Sequence, residues 1–231
     1  MFKSIVTILV LFFLASSTIA QEGFKDRPIT NNLYGPTAYT LNKGEFTVGI
    51  GSIGFGITDE VQVGTNILLF LFQISNADVK INFSNSGTTA FGGGVKWYNF
   101  DLDVIDLDAS FTSISPYIAL TNKVGEKTLL HLSGQISFFS GDADIDDAEV
   151  EAESSSTGTS FTAGLEHSYS NKTKFLFDAG YDMTFEGLKM GGGVLFGWTK
   201  FRLKLGISYY KPKDVDDFTF PNVGLWWRFK G

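Results

Sequence analysis

His131 and His167 are the two imidazoles of the chain, and with neighbouring serines they are the residues from which a nucleophile and its base could be built. A general base must lie within hydrogen-bond reach of the proton it takes. Ser168 and Glu166 flank His167 in sequence, but successive side chains of an extended chain project to opposite faces. No motif groups either histidine with a serine and a carboxylate, so the sequence predicts a protein that is not an enzyme, with a lipid-modifying enzyme as the lesser alternative. A second chemistry is cation binding by carboxylates. Asp142, Asp144 and Asp146 occupy the first, third and fifth places of a calcium-loop spacing, and Glu153 the twelfth. The sixth place is Asp147 instead of Gly, which removes the sharp turn. A weak divalent-cation loop therefore stands beside the reading of a solvated acidic loop. No confident metal site and no cofactor are expected. Gly92–Gly94 and Gly191–Gly193 lie inside strand patterns with no helix following, so they do not form a phosphate loop.

A third group of residues draws its meaning from the elements that carry it. In residues 200–210, Phe201, Leu203, Leu205, Ile207 and Tyr209 alternate with Arg202, Lys204, Gly206 and Ser208. In residues 173–183, Phe175, Phe177, Ala179 and Tyr181 alternate with Lys174, Asp178, Gly180 and Asp182. A period of two places these sets on opposite sides of a sheet. One side is Phe, Leu, Ile and Tyr; the other is small or charged. Soluble sandwiches alternate too, but these runs reach about ten residues, the length that crosses a bilayer at a tilt. Aromatic residues also gather at run ends: Trp97 and Tyr98, Tyr169, Trp198, Tyr209 and Tyr210, Trp226 and Trp227. Amphipathic rings settle at the headgroup level of a membrane. The sequence thus predicts an all-β, transmembrane, antiparallel up-and-down barrel in the outer membrane. Its lumen would carry Lys80, Lys96, Glu166, Asp178, Asp182, Arg202, Lys204 and Arg228.

Composition agrees. The chain holds 23 Phe, 26 Gly and no Cys among 231 residues. After residue 20 no apolar run is long enough for a membrane helix. Lys3, the apolar stretch from Ile5 to Leu14 and the small residues Ser16 to Ala20 form the three parts of a secretory signal. The expected organisation is a signal peptide at 1–20, an N-terminal periplasmic segment at 21–32 and a barrel at 33–231. The net charge of −7 argues against a nucleic-acid partner. Outer-membrane lipid, lipopolysaccharide bridged by cations to the acidic loops, the barrel-insertion machinery and a small solute are the expected partners.

Loop lengths set the strand number. Short turns belong to the periplasmic side and long loops to the outside. Counting back from a last strand at 219–229 makes residues 141–156 the longest external loop and 99–108 a second one. The count reaches twelve if residues 33–41 form the first strand, 45–57 the second and 67–75 part of a strand. It falls to ten if 33–41 and 67–75 do not pair. Pro36 argues against the first strand, and 67–75 breaks alternation, as a short helix would.

Two stretches resemble known proteins. Pro36-Thr37-Ala38, Lys43-Gly44-Glu45, Gly56-Ile57-Thr58-Asp59-Glu60 and Val63-Gly64-Thr65-Asn66 resemble a pattern of uncharacterised bacterial outer-membrane β-barrel proteins. Val223, Leu225, Trp227 and Phe229 resemble the alternating C-terminal strand that barrel-insertion machinery reads, although Lys230 and Gly231 follow the last aromatic. The resemblance implies fold and location, and no particular activity. The functional expectation is an integral barrel that passes or binds small solutes, or a closed structural barrel with acidic external loops.

Overall fold

The computed structural model describes residues 29–50, 52–104, 107–145, 150–213 and 216–229. The expected signal peptide lies outside the described residues, as do 21–28 of the expected N-terminal segment. Twelve strands form one closed antiparallel barrel. They are β1 (Phe46–Ile50), β2 (Ile53–Gly56), β3 (Val61–Thr65), β4 (Ile74–Asn85), β5 (Thr89–Val104) and β6 (Leu107–Gly125). The other half is β7 (Thr128–Ile145), β8 (Val150–Ser170), β9 (Thr173–Asp182), β10 (Gly187–Gly197), β11 (Phe201–Lys211) and β12 (Phe218–Phe229). Each strand pairs with its successor, and β1 pairs with β12 in the register Val48 to Trp227, which removes both sheet edges. Helix α1 (Ile67–Phe70) joins β3 to β4. Its first turn is capped by the Asn66 side chain, which accepts from Leu68 N at 3.1 Å.

The period of two decides which side faces out. Phe175, Phe177 and Tyr181 are exposed, whereas Lys174, Leu176 and Asp178, which alternate with them, are buried. Ile114, Ile118, Phe138, Phe161 and Ile207 are likewise exposed on the outer wall. The barrel is thus turned inside out relative to a water-soluble core: apolar groups outside, charges inside. No helix among the described residues is long and apolar enough to cross a membrane.

The strand number agrees with expectation, but two of its parts do not. Residues 33–41 are not a strand of the wall. They belong to a hairpin that lies within the barrel, with a single bridge between Asn31 and Pro36. The stretch 45–57, read as one strand, is two: it reverses between Ile50 and Ile53, so Val48 pairs with Ile53. That extra reversal restores the even count. The segment 67–75 holds α1, the local reason for its lost alternation. The stretches read as long acidic loops are mainly wall. Asp142 pairs with Glu153, and Asp101 with Ser110, so β5 to β8 rise as tall paired strands where loops were expected.

Two ends can be distinguished. The lower end carries the tight turns at 86–88, 126–127, 171–172 and 198–200, and residues 42–44 lead from it into β1. The upper end is where β5 meets β6 and β7 meets β8.

Candidate functional site: the lumen and its internal hairpin

Inside the lower half of the barrel, residues 29–41 run up, turn at Asn32–Gly35 and come back down. Asn32 N donates to Gly35 O at 3.0 Å, and Thr37 N to Thr30 O at 3.1 Å. Irregular backbone shielded from water needs partners for its N–H and C=O groups. Here the wall supplies them. Asp178 Oδ2 accepts from Tyr34 N at 2.6 Å and Gly35 N at 3.2 Å. Lys204 Nζ donates to Asn32 O at 2.9 Å. Lys80 Nζ donates to Thr30 O and, at 3.3 Å, to Tyr39 O. Asn82 Nδ2 donates to Ala38 O at 2.7 Å, and Gln62 Oε1 accepts from Leu41 N at 3.0 Å. Glycine makes the room: a Cβ on Gly92 would stand 2.9 Å from Ala38 O, and one on Gly164 would stand 2.6 Å from Asn32 Nδ2.

The charged residues sort by height. Near the lower end, Glu45 pairs with Arg228, and Glu166 with Lys174. Arg202 donates to the carbonyls of Trp198 and, at 2.8 Å, Phe201. Glu166 Oε2 also accepts from Ile29 N at 3.2 Å, which ties the start of the hairpin. Lys96 lies higher, its Nζ 5.4 Å from the Tyr117 ring centroid. Above the hairpin tip, Lys189 pairs with Asp182 at 2.8 Å. Glu45, Asp78, Lys174 and Lys189 belong to this inner set and were not among the predicted lumen charges. Alternation carries the signal for three of them: Lys174 shares a face with Asp178, Asp78 with Lys80, and Lys189 with Gly191. Glu45 precedes its strand and has no such signal. Outside the wall, Glu186 bonds Lys213 at 2.5 Å and holds that ammonium above the ordinary lysine range.

Of the predicted cation ligands, Asp142 is exposed and accepts from Ser110 Oγ at 3.3 Å. The side chains of Asp144, Asp146 and Glu153 lie outside the described residues. The backbone of 142–145 and 150–153 is extended and paired, unlike the coiled loop that the spacing suggested.

Among the described residues, three of the cavities lie around the hairpin. One of about 370 Å³ lies between it and the wall of β1–β5 and β10–β12, lined by Ser52, Asn66 and Asn76 toward the upper end and by Arg202 and Arg228 toward the lower. One of about 170 Å³ sits at the tip, lined by Tyr34, Gly35, Lys96 and Lys189 among others. A third of about 270 Å³ opens above, bounded by Tyr98, Ser137, Asp182 and Lys189. The second and third share Gln135, Ser160 and Lys189.

His131 is buried, with Nδ1 2.9 Å from Thr121 Oγ1 and Nε2 3.4 Å from Glu166 Oε2. Thr121 Oγ1 accepts from Ala38 N at 3.2 Å, which leaves its own proton for the imidazole. His167 is exposed, with Nδ1 2.9 Å from Thr128 Oγ1.

No family model matches the chain, and no curated protein does. Among solved structures it is similar to the toluene transporter TbuX of Ralstonia pickettii, at 10% identity and TM-score 0.46, over 80% of this chain and 68% of that one. It is similar to the KdgM porin in complex with disordered oligogalacturonate, at 9% and 0.44, over 80% and 96%. OmpT of Vibrio cholerae is similar at 12% and 0.37, over 93% and 73%.

The expectation that the chain is not an enzyme is corrected. Its ground was that no motif groups either histidine with a serine and a carboxylate. Strand register supplies the carboxylate, because His131 stands opposite Gly164, two residues from Glu166. The fold thus brings an imidazole and a carboxylate together that sequence spacing keeps apart.

The location follows from the architecture. A closed up-and-down barrel with an even strand number, an apolar exterior and a charged interior satisfies every wall backbone group within hydrocarbon. This is the outer-membrane design, and the chain is an integral outer-membrane β-barrel.

Proposed function

We propose that the barrel passes small polar solutes through the space beside its internal hairpin, and that the hairpin sets the size limit. The supporting observation is the 370 Å³ cavity, whose lining reaches from Ser52 and Asn66 toward the upper end to Arg202 and Arg228 toward the lower. The hairpin is held by side-chain contacts from several strands and fills only part of the lumen. A barrel of about twelve strands is wide enough for both. In this reading the aromatic β12, which closes the barrel against β1, is the segment taken by the insertion machinery. The tall upper ends of β5–β8 are the surface that meets lipopolysaccharide.

Planar-bilayer recording tests the passage. The expected result is a small conductance for the intact protein and a severalfold larger one when residues 29–41 are replaced by a short Gly-Ser linker. Heat-modifiable gel mobility checks that the altered barrel is folded. Silent traces from both folded proteins would contradict the passage.

A further inference from the structure

We infer that the lumen selects anions, which names the class of solute for the passage proposed above and rests on that reading. The chain as a whole is acidic, with a net charge of −7. The three cavities around the hairpin have the opposite character. Their linings include the five cations Lys96, Lys189, Arg202, Lys204 and Arg228. Only Asp78 and Asp182 line them with the opposite sign among the described residues. The remaining inner carboxylates line none of these cavities and are engaged elsewhere: Glu45 by Arg228, Glu166 by Lys174, and Asp178 by the hairpin N–H groups.

The cations are also in series. Lys189 lines both upper cavities. Lys96 lines both the tip cavity and the long one beside the hairpin, so it stands where the two meet. Lys204 follows lower along β11, and Arg202 and Arg228 stand near the lower end. An anion moving down this path exchanges one cation for the next. Lys189 keeps Asp182 as a partner and Arg228 keeps Glu45, so these two offer a shared charge. Lys96 makes no ion pair among the described residues; it lies against the Tyr117 ring, with Asp78 acting on it only through space. Low-dielectric walls focus the field of such groups on the lumen, and Lys and Arg lining a pore favour anions.

Reversal potentials of the refolded full chain in a KCl gradient test the inference. The expected permeability ratio favours chloride severalfold, and the Lys96→Gln, Lys189→Gln double variant moves it toward unity while Lys96→Arg preserves it. A measurable current that prefers potassium, or a ratio unmoved in the double variant, would overturn anion selection and leave the passage standing. Silent traces would remove the passage alone, because the chloride-35 NMR linewidth of the detergent-solubilised protein reports anion binding without conduction. The expected line is broadened by the intact protein and narrowed toward buffer in the double variant. Equal linewidths for the two proteins would overturn the inference.

Discussion

The two sides of the barrel are built to different heights. Strands β5 to β8 contain 16, 19, 18 and 21 residues, whereas β1, β2 and β3 contain 5, 4 and 5. At about 3.4 Å per residue, five residues extend about 17 Å even without tilt. The apolar band of such a barrel is about 25 Å tall. The low side therefore cannot cover the hydrocarbon with sheet alone. Directly beyond β3, the segment at 67–72 presents Leu68, Phe70, Leu71 and Phe72, with Leu71 77% exposed. Those groups supply the apolar height that the short strands lack. The tall side has height to spare and ends in polar residues, with Ser154, Ser155 and Ser156 exposed. A barrel need not be uniform: its wall can be finished in sheet on one side and in helix on the other.

The hairpin repeats the contrast. The long strands add a charged contact, Glu166 on β8 at Ile29 N, to the neutral Thr121 on β6 at Ala38 N, whereas the low side holds it with a neutral amide, Gln62 on β3 at Leu41 N. The largest effect is expected for Glu166→Ala, which takes the carboxylate partner from buried Lys174. Losing one member of a buried pair costs about 3–5 kcal/mol. Gln62→Ala leaves one N–H without its acceptor, at about 1–3 kcal/mol. Urea unfolding followed by gel mobility measures both, and equal losses would erase the distinction between the sides. On the outer wall an effect between these two is expected, with a smaller one at its boundary. Ile118→Lys on β6 places a charge in the middle of the apolar band and should cost about 2–4 kcal/mol, while Leu71→Lys at the interface should cost about 0–1. A Leu71→Lys penalty as large as that of Ile118→Lys would put 67–72 deep in the bilayer and not at its boundary.

Part of this was readable from residues alone. Phe175, Phe177 and Tyr181 against Lys174 and Asp178 fix the inside and outside of β9, because a period of two needs no knowledge of neighbours. The hairpin was not readable, since its partners are remote: Tyr34 N meets a carboxylate 144 positions away. Leu33, Tyr34, Ala38 and Leu41 have the composition of a strand, and only Pro36 spoke against one. The reversal between β1 and β2 was hidden because alternation continues in type on both sides of it. The His131–Glu166 contact depends on the register of β7 against β8, which sequence spacing does not contain. Acidic residues at 142–153 looked like loop because charge is common in loops; pairing that extends above a membrane is charged as well.

Burial of residues 29–41 within the barrel is the claim on which the passage, its size limit and its charge all depend. The native chain has no cysteine, so a Gly35→Cys, Thr162→Cys double variant gives one defined test. A Cβ at Gly35 would lie 3.3 Å from Thr162 Cβ, close to the roughly 3.5–4.5 Å of disulfides. The account predicts rapid intramolecular cross-linking of the folded barrel under mild oxidant, seen as a reducible shift in the mobility of the unfolded band. Free thiols persisting in a folded barrel would place the hairpin outside the lumen and contradict the account.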